Sequence, residues 1–341
     1  MIERYFHRWE HELAAVSKAD RAVRPFDWGE DWIDQPVTGD AEPVTRVRAW
    51  VESIMRDTDA FFTPQPTRYT LTDNVLTFPS GFTTPHEVNN TVVCRYFLPK
   101  PIFKPKPGAP RRAVVVIAQW NADPDGHVGL CELLAKVGIA SLRISLPYHD
   151  SRKPSDLKRA EYICSSNVVR TLQVCRQAVG DLRLALWWLR DQGYDRLGLL
   201  GTSLGSCLAY LTTCHEPLVK AQALNHVSPY FSDVVWRGLS TEHVREGLAQ
   251  HLDLDQLREL WRPINPWSYL DRLADRKTLM VYAKYDLTFP VDLSLKLIEE
   301  FRRRRHPMQV RMLPCGHYST GASPFKFLDA FYLTRFLVKN L

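Results

Sequence analysis

From residue 113 onward, short apolar runs alternate with longer stretches of helical spacing. The apolar runs predict strands over 113–118, 140–146, 197–200, 221–225, 278–283 and 309–313. The stretches between them predict helices over 127–136, 167–192, 204–214, 291–303 and 325–338. Such alternation needs right-handed crossover connections, which place parallel strands in one sheet with helices on both faces. We therefore predict an α/β fold.

The rest of the chain surrounds this pattern. Residues 1–66 show helical spacing and predict an N-terminal helical extension. Residues 67–226 and 274–341 hold the alternating core, which opens with short β-like runs. Residues 227–273 interrupt the alternation with mostly helical sequence, which predicts an inserted cap.

Composition excludes several classes of protein. Apolar residues make up 45% and charged residues 24%, which is globular rather than disordered composition. The net charge of +6 accompanies no zinc-finger, RNP or basic-zipper pattern, so we expect no nucleic-acid partner. The seven cysteines are odd in number and lack a CxxC spacing, which favours reduced thiols and a cytoplasmic location. The charged beginning and the short apolar runs predict a soluble protein with no transmembrane segment.

The pentapeptide GTSLG at 201–205 carries the strongest chemical signal. It fits G-x-S-x-G and lies between a predicted strand and a predicted helix, the context that marks a nucleophile elbow. So tight a turn forces Ser203 into a strained backbone conformation at the positive end of a helix. The alternative is that Ser203 is only the polar cap of that helix.

A serine nucleophile needs a base and a carboxylate that orients the base. Asp286 follows the predicted strand 278–283, and His317 follows the predicted strand 309–313. Both lie in the order Ser, Asp, His that this architecture uses. Asp233 is the alternative acid, since it follows the preceding strand.

The oxyanion of an acyl-transfer intermediate needs two directed donors. One candidate is the backbone N–H of Leu204, directly after the nucleophile. The other is the N–H of Trp120 in the loop QWNAD, whose indole would form a wall of the acyl pocket.

These residues resemble the α/β-hydrolase superfamily from about residue 67 to the end. The resemblance implies an eight-stranded, mostly parallel sheet and a triad of Ser203, His317 and Asp286. Many members carry His-Gly where this chain has Ala118-Gln119, so the chain departs from the family pattern directly before the second oxyanion candidate, Trp120. The strings QWNAD, LPYHDSR, GTSLGSC, NHVSPYF, YDLTF and PCGHYSTG are similar to the subgroup of α/β-hydrolase domain-containing protein 18. That similarity suggests acyl-lipid ester substrates.

Further polar residues follow other strand ends and are candidates for substrate contact. They are Asn121, Tyr148, His149 and His226. A network that stabilises the loops is an equally good interpretation of the last three. The pattern H-x-x-E-H at 7–11 matches a zinc-protease motif, but an amphipathic helix explains it better, and we expect no metal.

The sequence thus predicts a serine hydrolase that cleaves a small or lipid-like carboxylic ester through an acyl-enzyme, without a cofactor. A peptidase or a thioesterase with the same triad is one alternative. A catalytically silent hydrolase fold that serves as a binding module is another. The oligomeric state stays open.

Overall fold

The computed structural model describes residues 1–16, 20–34, 41–102, 107–273 and 275–341. Nine strands of this part form one sheet: β1 Thr70–Thr72, β2 Val75–Pro79, β3 Thr91–Phe97, β4 Arg112–Ile117, β5 Ile139–Ile144, β6 Arg196–Thr202, β7 Val219–Asn225, β8 Lys277–Ala283 and β9 Met308–Leu313. Their order is β1-β2-β3-β5-β4-β6-β7-β8-β9. Strands β4 to β9 are parallel, and β1, β2 and β3 are each antiparallel to their neighbours.

The helices of the described residues fill the intervals that the sequence predicted. They are α1 Ile2–Ala15, α2 Pro43–Arg56, α3 Thr58–Phe62, α4 Val128–Lys136, α5 Val168–Asp191, α6 Leu204–His215, α7 Phe231–Arg237, α8 Glu242–Leu248, α9 Leu254–Leu260, α10 Val291–Arg303 and α11 Phe325–Asn340. The α/β prediction is confirmed, since strands and helices alternate from β4 to α11.

The central strand β4 shows why both faces of the sheet are covered. Val114 and Val116 pack into one apolar cluster, which α1, α4 and α11 complete. Val115 and Ile117 point to the opposite face, into a larger cluster with α5, α6 and α10. Successive side chains of a strand face opposite ways, so an unbroken apolar run requires a layer of helices on each side.

The sheet differs from the predicted eight strands by one strand at its edge. Asp73 and Asn74 both have positive φ, 48° and 63°, and form a tight turn that pairs β1 with β2. The sequence favoured a single β-like run here. Because β1 is only three residues long and exposed throughout, it has no apolar pattern that could have indicated a separate strand.

The segments outside the core pack closely on it. In residues 1–66, α1 joins one face of the sheet, while α2 and α3 lie over the other. Residues 227–273 contain α7, α8 and α9 between β7 and β8. The carboxyl ends of β4, β6, β7, β8 and β9 meet at one edge, which is where parallel α/β sheets hold their sites. The division into an extension, a core and a cap stays a prediction.

Candidate active site

Ser203 occupies a sharp turn between β6 and α6. Its φ of 57° and ψ of −120° are strained for a residue with a side chain. A Cβ on Gly201 would lie 2.1 Å from the carbonyl oxygen of Gly205, and one on Gly205 would lie 2.5 Å from that of Ile117. Only hydrogen fits at either position, so the two glycines allow the turn to form.

The predicted base, His317, and the predicted acid, Asp286, form a chain of hydrogen bonds with Ser203. The Oγ of Ser203 is 3.1 Å from Nε2 of His317, and Nδ1 of His317 donates to Oδ2 of Asp286 over 3.0 Å. Asp286 follows β8 and His317 follows β9, as the sequence predicted. Because Nδ1 keeps its proton and donates it in a hydrogen bond to Asp286, Nε2 of the imidazole has a lone pair that can take the proton of the serine hydroxyl.

The carboxylate of Asp286 is fixed by four donors. Its Oδ1 accepts the backbone N–H groups of Thr288 and Phe289 at 2.8 and 2.7 Å, while Oδ2 accepts two imidazole N–H groups. Burial alone would raise the pKa of this carboxyl, but His317 and the hydrogen bonds outweigh it and hold the pKa well below its usual range. Asp286 is therefore ionised wherever the imidazole is a base.

The second imidazole on this carboxylate belongs to His226, directly after β7. Its Nδ1 donates to Oδ2 of Asp286 over 2.9 Å, and the centre of its ring lies 4.4 Å from that of His317. Burial and the neighbouring His317 lower the pKa of His226. His226 is thus neutral, with its Nε2 lone pair unprotonated. The sequence indicated His226 only as a substrate contact, and no spacing could have predicted its bond to Asp286.

The pKa of His317 is shifted in the opposite direction from that of His226. Burial disfavours its cation, but Asp286 and the carboxylate of Glu10 hold the pKa of His317 above its usual value. Glu10 lies on α1 and accepts the backbone N–H groups of the two residues after His317. The sequence analysis missed this contact, because Glu10 is more than 300 positions away from the residues it binds.

Asp233, the alternative acid, lies elsewhere. It is buried on α7 and forms a salt bridge with Arg258, whose nitrogens approach its two oxygens to 2.6 and 2.8 Å. This carboxylate is occupied by a guanidinium and makes no contact with His317 in the described residues.

The loop after β4 is held in place by three hydrogen bonds to Ala160 and His149. Trp120 Nε1 donates to the carbonyl oxygen of Ala160 over 2.7 Å, and Asn121 Oδ1 accepts the N–H of the same residue over 2.7 Å. Asn121, with a φ of 57°, donates its own N–H to Nε2 of His149 over 3.0 Å. Among the described residues, the N–H groups of Trp120 and Leu204 have no hydrogen-bond acceptor. Both N–H groups are therefore available as hydrogen-bond donors.

Two predicted substrate contacts need correction. Tyr148 is fully buried, and its hydroxyl hydrogen-bonds with Nδ1 of His86. His149 is also buried, and its Nδ1–H donates to the carbonyl oxygen of Pro147. Burial lowers the pKa of His149 to about 4, so it remains a neutral acceptor behind the Asn121 loop. Neither lines the cavity within the described part of the chain. A strand-end position indicated the correct edge but not which way each side chain points.

A cavity of about 870 Å³ opens over Ser203 and His317. Asn121 and His226, the other two predicted substrate contacts, line it. Its apolar wall is formed by the turn after β6, the loops after β4 and β8, and helix α7: Trp120, Leu204, Phe231, Val234, Val235 and Phe289. Helices α4 and α11 supply a second apolar side: Leu130, Leu133, Phe327, Ala330 and Leu333. The space is large enough for a substrate of drug or fatty-acyl size.

His226, Asp286 and His317 also form a compact set of possible metal ligands. One ligand atom from each lies within 4.8 Å of the others. Both imidazoles, however, donate Nδ1–H to the carboxylate, and a metal ion among these three groups would have to displace both protons and both hydrogen bonds. The hydrogen-bonded arrangement therefore fits a proton-transfer site better than a metal centre.

Comparisons of sequence agree with this architecture. Residues 128–262 match the family described as alpha/beta hydrolase domain containing 18. The esterase YjfP of Escherichia coli (strain K12) is 28% identical over 170 residues, which is 48% of this chain and 64% of that protein. The match thus spans less than two thirds of this relative.

Solved structures extend the likeness of the fold to most of the chain. An acetyl xylan esterase from Paenibacillus sp. R4 has a TM-score of 0.59 at 15% identity, over 91% of this chain and 99% of that one. The acylaminoacyl peptidase of Pyrococcus horikoshii has a TM-score of 0.58 at 13% identity, over 86% of this chain but only 43% of the peptidase. Within the described residues, no helix is both long enough and apolar enough to cross a bilayer.

Proposed function

We propose that the chain is a serine hydrolase of the α/β-hydrolase superfamily that cleaves a carboxylic ester. The observation that carries the proposal is the continuous chain of hydrogen bonds from Ser203 through His317 to Asp286. A serine that only caps a helix does not need such a chain of hydrogen bonds, because its side chain accepts backbone N–H groups of its own helix. The side chain of Ser203 makes no such capping bond.

In the proposed reaction, Ser203 Oγ attacks the ester carbonyl while Nε2 of His317 takes its proton. Asp286 holds the imidazole in the required tautomer and stabilises the cation that forms. The N–H groups of Leu204 and Trp120 bind the oxyanion. The proton then passes from His317 to the leaving alcohol. Water, deprotonated by the same imidazole, attacks the acyl-enzyme and releases the acid and Ser203.

The proposed substrate is a small or lipid-like ester. The apolar walls of the cavity support this, because they suit an acyl chain better than a folded polypeptide. Asn121 and His226 are the proposed polar contacts. A cytoplasmic location also stays a prediction, which the seven free, buried cysteines support.

Hydrolysis of nitrophenyl esters of increasing acyl length by wild type and Ser203→Ala tests the proposal. We expect the substitution to reduce kcat by about a million-fold, as loss of the nucleophile does in serine hydrolases. Ser240→Ala is the matched control, since it removes another hydroxyl from the cavity wall, one that bonds to Thr288 and Tyr318. Equal turnover by Ser203→Ala and wild type would overturn the assignment.

Labelling with a fluorophosphonate separates the remaining alternatives. Wild type and Ser240→Ala are expected to react, and Ser203→Ala is not. A silent binding module would leave Ser203 unlabelled. A nitroanilide and a thioester of the preferred acyl length, assayed beside the ester, distinguish a peptidase or a thioesterase from an esterase.

A further inference from the structure

Helix α1 directs a buried carboxylate at the loop that carries His317. Glu10 is fully buried, and its Oε2 accepts the backbone N–H of Tyr318 over 2.8 Å. Its Oε1 accepts the N–H of Ser319 over 2.9 Å. A buried carboxylate that accepts two N–H groups makes strong, charge-assisted hydrogen bonds. The two residues it holds are the first ones after the proposed base.

Among the described residues, the loop offers no other acceptor for these two groups. The N–H of Gly316 donates to Ser319 Oγ over 2.8 Å, and the N–H of Thr320 donates to the carbonyl of Gly316 over 3.2 Å. The N–H groups of Tyr318 and Ser319 would remain unpaired without Glu10. The loop and the helix also fit in shape, since a Cβ on Gly316 would lie only 2.3 Å from the carboxyl carbon of Glu10.

The same helix reaches the loop that carries the acid. Phe6 stacks on Tyr285, the residue before Asp286, with ring centroids 4.7 Å apart and planes 9° apart. The N–H of Tyr285 in turn donates to the carbonyl of Cys315, two residues before His317. Helix α1 therefore contacts both loops whose relative position sets the bond between Asp286 and His317.

Glu10 also changes the charge balance at the imidazole. The groups that face His317 are Asp286, His226 and, on the far side of its loop, Glu10; Arg21 reaches the loop through the hydroxyl of Tyr318. Asp286 is the main cause that raises the pKa of His317, and the charge of Glu10 adds to it.

We propose that Glu10 is a positioning residue of the active site: through the backbone of residues 318 and 319 it holds His317 at the distance from Ser203 that proton transfer needs. Helix α1 is then part of the catalytic unit. The inference rests on the proposed function, since it assigns His317 the role of base.

The test compares Glu10→Gln with Glu12→Gln. Glu12 lies on the same helix but is exposed and pairs with Arg8, so its substitution controls for a changed charge on α1. Glutamine keeps one acceptor for the two N–H groups and removes the charge. We expect Glu10→Gln to lower kcat/KM for the nitrophenyl ester about tenfold to a hundredfold, as a small displacement of a catalytic group does. Glu12→Gln should match wild type.

The pH profile distinguishes positioning from mere support of the fold. Loss of the negative charge lowers the pKa of His317, so the acid limb of kcat/KM should move toward lower pH in Glu10→Gln. Glu10→Asp retains the charge but reaches less far. It should reduce kcat/KM while its acid limb stays near that of wild type. Thermal unfolding of each variant shows whether it is folded.

A titration of the histidine side chains by NMR keeps this test separate from the proposed function. With the His317 signals assigned from their loss in His317→Gln, the pKa of that ring is measured without turnover. A lower pKa in Glu10→Gln together with a loss of kcat/KM supports the proposal. An unchanged pKa, or a kcat/KM equal to that of Glu12→Gln, overturns it. If wild type shows no Ser203-dependent turnover, the proposed function has failed, and with it the role of Glu10.

Discussion

The turn that carries Ser203 and the loop that carries His317 bring Ser203 Oγ and His317 Nε2 to 3.1 Å from each other, but the two segments are held in different ways. The serine turn is fixed mainly by its neighbours in the chain: β6 leads in, α6 leads out, and Gly201 packs against Gly205. The histidine loop owes its position to remote groups, Asp286 on one side and Glu10 on the other.

The difference separates what a short sequence pattern can encode from what only the complete fold can supply. A nucleophile turn needs a strained conformation, which two glycines and the strand-to-helix context provide locally. A base needs an orientation and a shifted pKa, and these come from buried charges that other elements bring to it. Substitutions can act on the serine side of this division, on the histidine side, or on the contact between the two.

The largest effect is expected for Asp286→Asn, which changes the histidine side and leaves the serine turn intact. The N–H groups of Thr288 and Phe289 will hold the amide oxygen, so the amide NH₂ will face His317. The imidazole must then accept at Nδ1 and carry its proton on Nε2, where it cannot take the serine proton. We expect kcat to fall about 10⁴-fold.

The control for Asp286→Asn is Asp292→Asn, which removes an exposed carboxylate paired with Arg237 and should leave kcat unchanged. Steady-state hydrolysis of the preferred ester measures both variants. A loss of less than tenfold in Asp286→Asn would mean that the acid does not set the tautomer.

A smaller effect is expected for Gly201→Ala, which acts on the serine side. The new Cβ would collide with the backbone of Gly205 and Ser206, and backbone cannot move aside as a flexible side chain can. We expect the free energy of unfolding to fall by about 3 kcal/mol, together with the loss of Ser203 labelling.

Gly129→Ala is the control for that destabilisation. A Cβ there, in the first turn of α4, meets nothing within 4 Å, and alanine favours a helix over glycine by about 1 kcal/mol. Urea unfolding should show one variant less stable and the other slightly more stable than wild type. A Gly201→Ala protein as stable as wild type would show that the turn is less constrained than its contacts indicate.

The smallest effect is expected for His226→Asn, which acts on the contact between the two regions. Its carbonyl accepts the hydroxyl of Ser206 on α6, and its ring donates to Asp286. Asparagine tolerates the positive φ of 60° found here but is too short to reach the carboxylate. The charge of Asp286 then acts on His317 alone, so the pKa of His317 rises.

For His226→Asn, the acid limb of kcat/KM should therefore move to higher pH, with about a tenfold loss at neutral pH. This is opposite in sign to the shift expected for Glu10→Gln. His251→Asn, at an exposed position between α8 and α9, is the control. A shift toward lower pH, or no shift, would show that His226 does not compete with His317 for the charge of Asp286.

The sequence predicted most of the fold because each element of the core has a strong local pattern. The run 113–118 is apolar without interruption and became β4, buried on both faces. The extra edge strand was missed because exposed residues at a sheet edge carry no such pattern. For the site, the order Ser203, Asp286, His317 followed from glycine spacing and strand ends.

The remaining site features could not be read in the same way. Tyr148 and His149 lie at the correct edge but are buried, where they bond to His86 and to the carbonyl of Pro147. The bonds of His226 and Glu10 join residues 60 and more than 300 positions apart. No local pattern encodes a contact of that separation, because it depends on how every intervening element packs.

The bonds between Glu10 and the loop after His317 also affect when activity can first arise during translation. A ribosome completes Ser203 and its turn 114 residues before it adds His317. The segment that Glu10 holds is made later still, since Ser319 follows Glu10 by 309 positions. If Ser203 is the nucleophile and Glu10 positions His317, the nascent chain carries an unactivated serine until β8, β9 and their loops have been synthesised, and hydrolysis begins only when the two distant segments have closed on each other.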